Sequence, residues 1–145
     1  MRWMTIALSL AALAAAAACA TPGGAPAAAP LENTYWRLVE LGGTAAVPAE
    51  GAREAHLRFD GDSARVAGST GCNRLFGRYT RDGDGLRFGD AGTTRMACVD
   101  PRLAQQEQRL LAALSATTSH AVAGDTLTLV GAAGPLARLV AATAP

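Results

Sequence analysis

Apolar and polar positions alternate with a period of two through most of residues 34–141, and the alternation gives way to helical spacing only over about 16 residues after Asp100. The first alternating run, residues 34–41, puts Trp36, Leu38 and Glu40 on one side. Tyr35, Arg37, Val39 and Leu41 fall on the other. Its aromatic and β-branched residues favour a strand, which Gly42 and Gly43 end. Residues 44–53, with Pro48 and small side chains, read as a loop. Residues 55–60 turn Leu57 and Phe59 inward and His56, Arg58 and Asp60 outward. Asp60-Gly61-Asp62 makes a turn, and residues 64–68, carrying Val66, return. Residues 75–80 form another strand, with Gly77 marking a bend or a close approach. The run from Arg81 to Gly85 is a hairpin signal, because Asp-Gly supplies the positive φ that such turns need. Leu86 and Phe88 alternate on the return, and residues 93–99 predict one more strand, with Thr94, Met96 and Cys98 on one face.

Asp100-Pro101 then opens a helix: the aspartate caps free amides and proline suits the first helical position. Leu103, Leu110, Leu111 and Leu114 line its apolar stripe, which is the spacing of a core face. Three short strands close the chain, at residues 118–123, 126–130 and 136–141, with a Gly124-Asp125 turn between the first two. Short strands and tight turns give antiparallel neighbours. The expected fold class is α+β: a strongly bent antiparallel sheet or partial barrel, with one helix inserted before the last three strands. Curling the sheet shut would also remove its exposed edges.

The first thirty residues follow different rules. One charge, Arg2, precedes an apolar run from about residue 5 to residue 18, and small residues lead into Cys19. This is the layout of a secretory signal peptide over residues 1–18. At 1.5 Å per residue the run reaches about 21 Å, short of the ~30 Å hydrocarbon core of a bilayer. Ala16-Ala17-Ala18-Cys19 resembles a bacterial lipobox, although its third position before the cysteine is alanine where a larger aliphatic residue is usual. Two readings of Cys19 stand: the lipidated first residue of the mature protein, or a bystander beside an ordinary cleavage site. Acylation on more than one chain would anchor the protein stably, and Ala20 resembles the outer-membrane sorting position of such lipoproteins. Residues 19–30, rich in proline, glycine and alanine, cannot bury enough surface to order themselves and read as a flexible tether. Residues 31–145 are then the folded domain. Bacterial envelope localisation is expected, with the domain in the periplasm.

Composition narrows the function classes. The formal net charge is +1, which makes no broad electrostatic case for nucleic acid or for an anionic membrane surface. All 13 basic residues are arginine, as a biased genomic base composition would produce. Cys72 and Cys98 leave an even number of cysteines for an oxidising compartment once Cys19 is set aside. They read as a disulfide, with two buried free thiols as the other possibility; they do not form a Cys-x-x-Cys redox motif. His56 and His120 sit at no ligand spacing from the cysteines, so no metal site is expected. The aspartates of residues 82–84 lack the calcium-loop pattern. Gly68-Ser69-Thr70-Gly71 is no nucleophile elbow, and neither a catalytic acid–base pair nor a cofactor site is apparent.

The blocks Trp36-Arg37-Leu38, Gly71-Cys72-Asn73-Arg74-Leu75-Phe76-Gly77-Arg78-Tyr79 and Thr93-Thr94-Arg95-Met96-Ala97-Cys98 come in this order. Glu107 with Leu110 and Leu111, and then Leu127-Thr128-Leu129, follow them. Together they resemble the META/HslJ-like domain over about residues 31–142. The resemblance implies an envelope lipoprotein of a family some of whose members are linked to heat shock or to tolerance of antibiotics such as novobiocin; it implies no known reaction. The expected function is therefore non-enzymatic, through binding or interaction with an envelope protein or small ligand. Asn73, Arg74 and Arg95 are the candidate binding patch. The competing structural reading has Asn73 shaping its turn and Arg95 pairing with Glu40 or Glu107. Two further functions remain open. One is a small-molecule carrier whose cavity is lined by Leu57, Phe59, Phe76 and Phe88. The other is an inhibitor of an envelope enzyme working through residues 42–54.

Overall fold

A computed structural model describes residues 23–48 and 53–145. The segment read as a signal peptide and Cys19 lie outside the described residues. So does part of the loop at 42–54. No helix among the described residues is long and apolar enough to cross a membrane.

The strands, in chain order, are β1 (Tyr35–Leu41), β2 (Thr44–Ala45), β3 (His56–Asp60), β4 (Arg65–Ser69), β5 (Arg74–Asp82) and β6 (Gly85–Thr93). The helix α1 (Pro101–Ala116) follows, and then β7 (Thr117–Ala123), β8 (Thr126–Gly131) and β9 (Gly134–Ala142). The strands form one antiparallel sheet in the order β2-β1-β3-β4-β5-β6-β7-β8-β9, and β1 also pairs with β9, so the sheet curls into a ring. The ring is weakest at β6–β7, where one residue pair, Gly85 with Ser119, spans the two strands. α1 packs on β6, β8, β1 and β9 beside that seam. The expected α+β architecture, with one helix before the last three strands, is the observed one.

Period-two alternation fails where a strand bulges, and two expectations change for that reason. In β1 a register shift between Leu38 and Glu40 sends Trp36, Leu38 and Leu41 into the core and leaves Glu40 at the surface, ion-paired with Arg138 at 2.8 Å. In β7 a shift between Thr117 and Ser119 carries His120 inward. It is 6% exposed, and its Nδ1 lies 3.0 Å from the Asp84 carbonyl oxygen. His56 is half-buried, stacked on Tyr35 at 4.4 Å.

The strand expected at 93–99 does not form. β6 takes the whole return as far as Thr93, and the chain then leaves the sheet in a loop that carries Cys98 to the helix. The helix begins as expected, with Asp100 accepting from the Arg102 N–H at 2.8 Å and Pro101 in its first turn. Leu110 and Leu114 are fully buried, and Leu103 and Leu111 are half-buried. The Leu57, Phe59, Phe76 and Phe88 set does not line one chamber. Leu57 and Phe59 are packed in the core, Phe59 meets Tyr79 edge-on at 5.2 Å, and Phe76 stands outside, 53% exposed.

Contacts with the domain begin before residue 31. The Ala29 N–H donates to the Gly124 carbonyl oxygen at 2.8 Å, and the indole N–H of the buried Trp36 donates to the Leu31 carbonyl oxygen at 2.9 Å. Next to these, Glu32 is bound by Arg81 at 2.8 Å. Burial pushes the Glu32 carboxyl up, but the Arg81 hydrogen bond and charge outweigh it and hold the group below its ordinary value of 4.5. A depressed folded value means that the contribution is present above pH 4.5 and is lost as pH falls through the folded value. With both side chains partly solvated it amounts to less than about 1 kcal/mol. Arg81→Ala is therefore expected to lower stability slightly at pH 7 and to flatten the acid side of the stability–pH curve. Denaturation in urea at a series of pH values checks this; an unchanged acid limb would contradict it.

Candidate functional site

The bend between β4 and β5 is built from Thr70, Gly71, Cys72 and Asn73. The Thr70 N–H donates to the Asn73 carbonyl oxygen at 2.9 Å, and the Thr70 hydroxyl oxygen accepts from the Asn73 N–H at 2.9 Å. Gly71 has φ 95°, and a Cβ there would meet Leu103 at 3.0 Å, so both the backbone and the space require glycine. The bend presses on α1: Gln106 Nε2 donates to the Thr70 carbonyl oxygen at 2.8 Å, while its Oε1 accepts from the Val47 N–H at 2.7 Å.

Asn73 organises everything beyond the bend. It is 2% exposed and uses both ends of its amide. Its Oδ1 accepts from the Met96 N–H at 2.9 Å and from the Thr94 hydroxyl at 3.0 Å. Its Nδ2 donates to the Met96 carbonyl oxygen at 3.2 Å and to Glu107 at 3.0 Å. One side chain thus does the work of a strand partner for Met96, while the Thr94 N–H donates to the Arg74 carbonyl oxygen at 3.0 Å. Glu107 also accepts from the Thr70 hydroxyl at 2.7 Å. Cys72 and Cys98 are joined by a disulfide, with Cα atoms 5.7 Å apart, and it closes the same loop a second time.

Over the disulfide lies a cleft of about 350 Å³, at the small end of ligand-binding sites. Gly71 and Leu103 back it, the sulfurs form part of its wall, and Met96 and Val99 rim it. Met96 is 53% exposed and Val99 wholly so, two of the three exposed large apolar side chains among the described residues, Phe76 being the third. At the mouth Arg102 binds Asp100 at 2.7 Å, and the guanidinium holds that carboxyl below the usual range.

Of the residues expected to form a binding patch, Asn73 is interior and saturated, whereas Arg74 and Arg95 are exposed. Arg95 pairs with neither proposed partner: Glu40 takes Arg138, and Glu107 takes Asn73 and Thr70. The potential donor atoms of Cys72, Cys98 and Glu107 lie within 4.8 Å of one another, but sulfurs bonded to each other offer no thiolate to a metal. Sequence reasoning missed Thr70 and Gln106. Their signal was weak: a polar Gln106 between Leu103 and Leu110 on the buried side of an otherwise leucine stripe.

A family model described as the META domain matches residues 29–143. Two solved structures share the fold. An NMR structure of a protein from Burkholderia xenovorans is 26% identical, with a TM-score of 0.63, over 85% of this chain and 98% of its own. A second NMR structure is 21% identical, with a TM-score of 0.61, over 76% of this chain and 91% of its own. No curated protein matches the chain significantly.

Proposed function

The chain belongs to the META-domain family, and from that premise we propose that it is a non-enzymatic lipoprotein of the bacterial envelope. In this reading it is held to the membrane, outer rather than inner, through Cys19, and it contributes to stress or antibiotic tolerance by binding. The binding site is the cleft over Cys72–Cys98, and its occupant is an apolar group presented by a small molecule or by an envelope protein. The observation that carries this is the exposed Met96 and Val99 pair at the rim of a cleft with a rigid back wall. A flexible thioether beside an aliphatic side chain suits varied apolar occupants. The non-enzymatic part draws on how several titratable groups of the domain are used. Glu107 holds Asn73 and Thr70, Asp100 caps the helix and binds Arg102, and His120 and His56 sit against backbone carbonyls.

Binding of an environment-sensitive apolar dye tests the cleft. Val99→Asp and Met96→Ser are each expected to weaken dye binding about tenfold, the value of burying one such side chain. Both should leave thermal stability nearly unchanged, because the side chains are exposed. Unaltered dye affinity in both variants would remove the cleft from the proposal. Fatty-acid labelling of the wild type, against Cys19→Ser, tests the anchor separately, and no label on the wild type would remove it.

A further inference from the structure

A net charge near zero conceals a row of exposed arginines on the outer face of one part of the sheet. Strands β3 to β6 turn Leu57, Phe59, Val66, Leu75, Tyr79 and Leu86 inward. The alternate positions carry Arg58, Arg65, Arg74, Arg78 and Arg87, all exposed. Cross-strand register holds them together: Arg65 faces Arg78, Arg58 faces Ala67, Ala67 faces Phe76, and Arg87 faces Thr80. Arg65 and Arg78 lie directly opposite one another, and Arg58 and Arg87 lie diagonally beside them, about 8 Å away at the usual strand spacing and roughly one screening length at physiological salt; Arg74 stands further off.

None of these five guanidiniums has a carboxylate partner among the described residues. The four ion pairs there use Arg37, Arg81, Arg102 and Arg138 instead. Two like charges directly opposite one another, Arg65 and Arg78, cost stability, and neither makes an ion pair among the described residues. Asp60 lies across from Arg65, and its carboxylate accepts from the Asp62 and Ser63 N–H groups of the turn. Asp90 lines a groove of about 320 Å³ together with Arg65, Arg78 and Phe76, so the face carries five arginines against these two aspartates. In the middle stands Phe76, 53% exposed, flanked by Ala67 and Gly92, which leave its ring uncovered.

We propose that the middle of this outer face, β4 and β5, docks on a membrane surface bearing phosphate headgroups, with Arg65 and Arg78 on the phosphates, Arg58 and Arg87 at the flanks, and Phe76 entering the boundary between headgroups and acyl chains. Guanidiniums match phosphate oxygens bidentately. The aromatic ring at the centre selects a surface with an apolar layer beneath its charge over a dissolved polyanion, which has nothing to offer the ring. The inference stands apart from the cleft, which is built from the bend before β5 and the loop after β6; Arg65, Arg78 and Phe76 line a different groove, and Arg74 is the arginine of the set that adjoins the cleft.

Sedimentation of the full chain with two kinds of vesicle tests it, one of phosphatidylcholine alone and one of phosphatidylcholine mixed with phosphatidylglycerol. The apolar run at residues 5–18 contributes to both, so the ratio of the two partition coefficients is the readout. That ratio is expected to exceed ten and to collapse in high salt. Arg65→Gln and Arg78→Gln should each lower it about fivefold, the usual value of one basic residue near an anionic surface. Arg138→Gln, one charge fewer on β9, should leave it unchanged, and circular dichroism should find all variants folded. Phe76→Ser should weaken vesicle binding and leave binding to inorganic polyphosphate unaffected. A wild-type ratio near one would overturn the proposal, as would an equal loss in Arg138→Gln. It would also fall if polyphosphate bound as tightly as the vesicles and Phe76→Ser changed neither.

Discussion

Asn73→Ala is expected to cost about 3–5 kcal/mol of unfolding free energy, because it strands several buried groups at once. The Met96 N–H and carbonyl both lose their partner, and the Glu107 carboxylate loses a donor while it stays partly buried. Asn73→Asp should be worse at neutral pH, since it sets a second carboxylate about 3 Å from Glu107. Glu107→Gln keeps an acceptor for Asn73 or Thr70 and should cost only about 1–2 kcal/mol. Urea denaturation reads all three as shifts in midpoint at constant slope. A loss below about 1 kcal/mol in Asn73→Ala would mean that water replaces the amide. The account of Met96 as held by one side chain would then fail.

Removing the disulfide is the second large effect. Cys72 and Cys98 are 26 residues apart, and in the chain-entropy picture their bond destabilises the unfolded state by about 3–4 kcal/mol. Cys72→Ser with Cys98→Ser should lower the midpoint of thermal unfolding by roughly 15–25 °C for a domain of this size. Reduction of the wild type should reproduce the shift. The doubly serine-substituted protein should also bind the apolar dye more weakly, because Cys98 and Val99 then hang on Asn73 alone. Since Asn73 and the sulfurs secure the same loop, the triple variant should depart from the sum of its parts. Strict additivity would separate the two fastenings.

The ring of strands was legible in the sequence wherever one residue in two meets the core. Leu57 and Phe59 in β3, Leu75 and Tyr79 in β5, and the Asp-Gly turn before β6 all follow from period two and turn chemistry alone. Asp100-Pro101 marked the helix start because capping is a local interaction. Bulges are not local in that sense. Nothing in residues 38–40 or 117–119 announces the extra residue that turns Leu41 and His120 inward, since the bulge is set by the partner strand. Residues 94–98 misread as a strand because Thr94, Met96 and Cys98 alternate. The backbone partner of Met96 is the Asn73 side chain, more than 20 positions away in sequence. Net charge misled in the same way: it is a sum, while period two sets Arg58, Arg65, Arg74, Arg78 and Arg87 on the outer face of one part of the sheet. The cleft followed from neither, because Met96 and Val99 look like core residues until the loop around them is known.

The joining of β1 to β9 puts Tyr35 opposite Ala142, so the barrel's last seam is stitched by residues roughly 100 positions apart. A nascent chain that ends before residue 134 leaves the flank of its first strand bare, a template for the neighbour it happens to meet. Completeness is thereby written into the fold itself, because one edge of β1 stays open until β9 is in place.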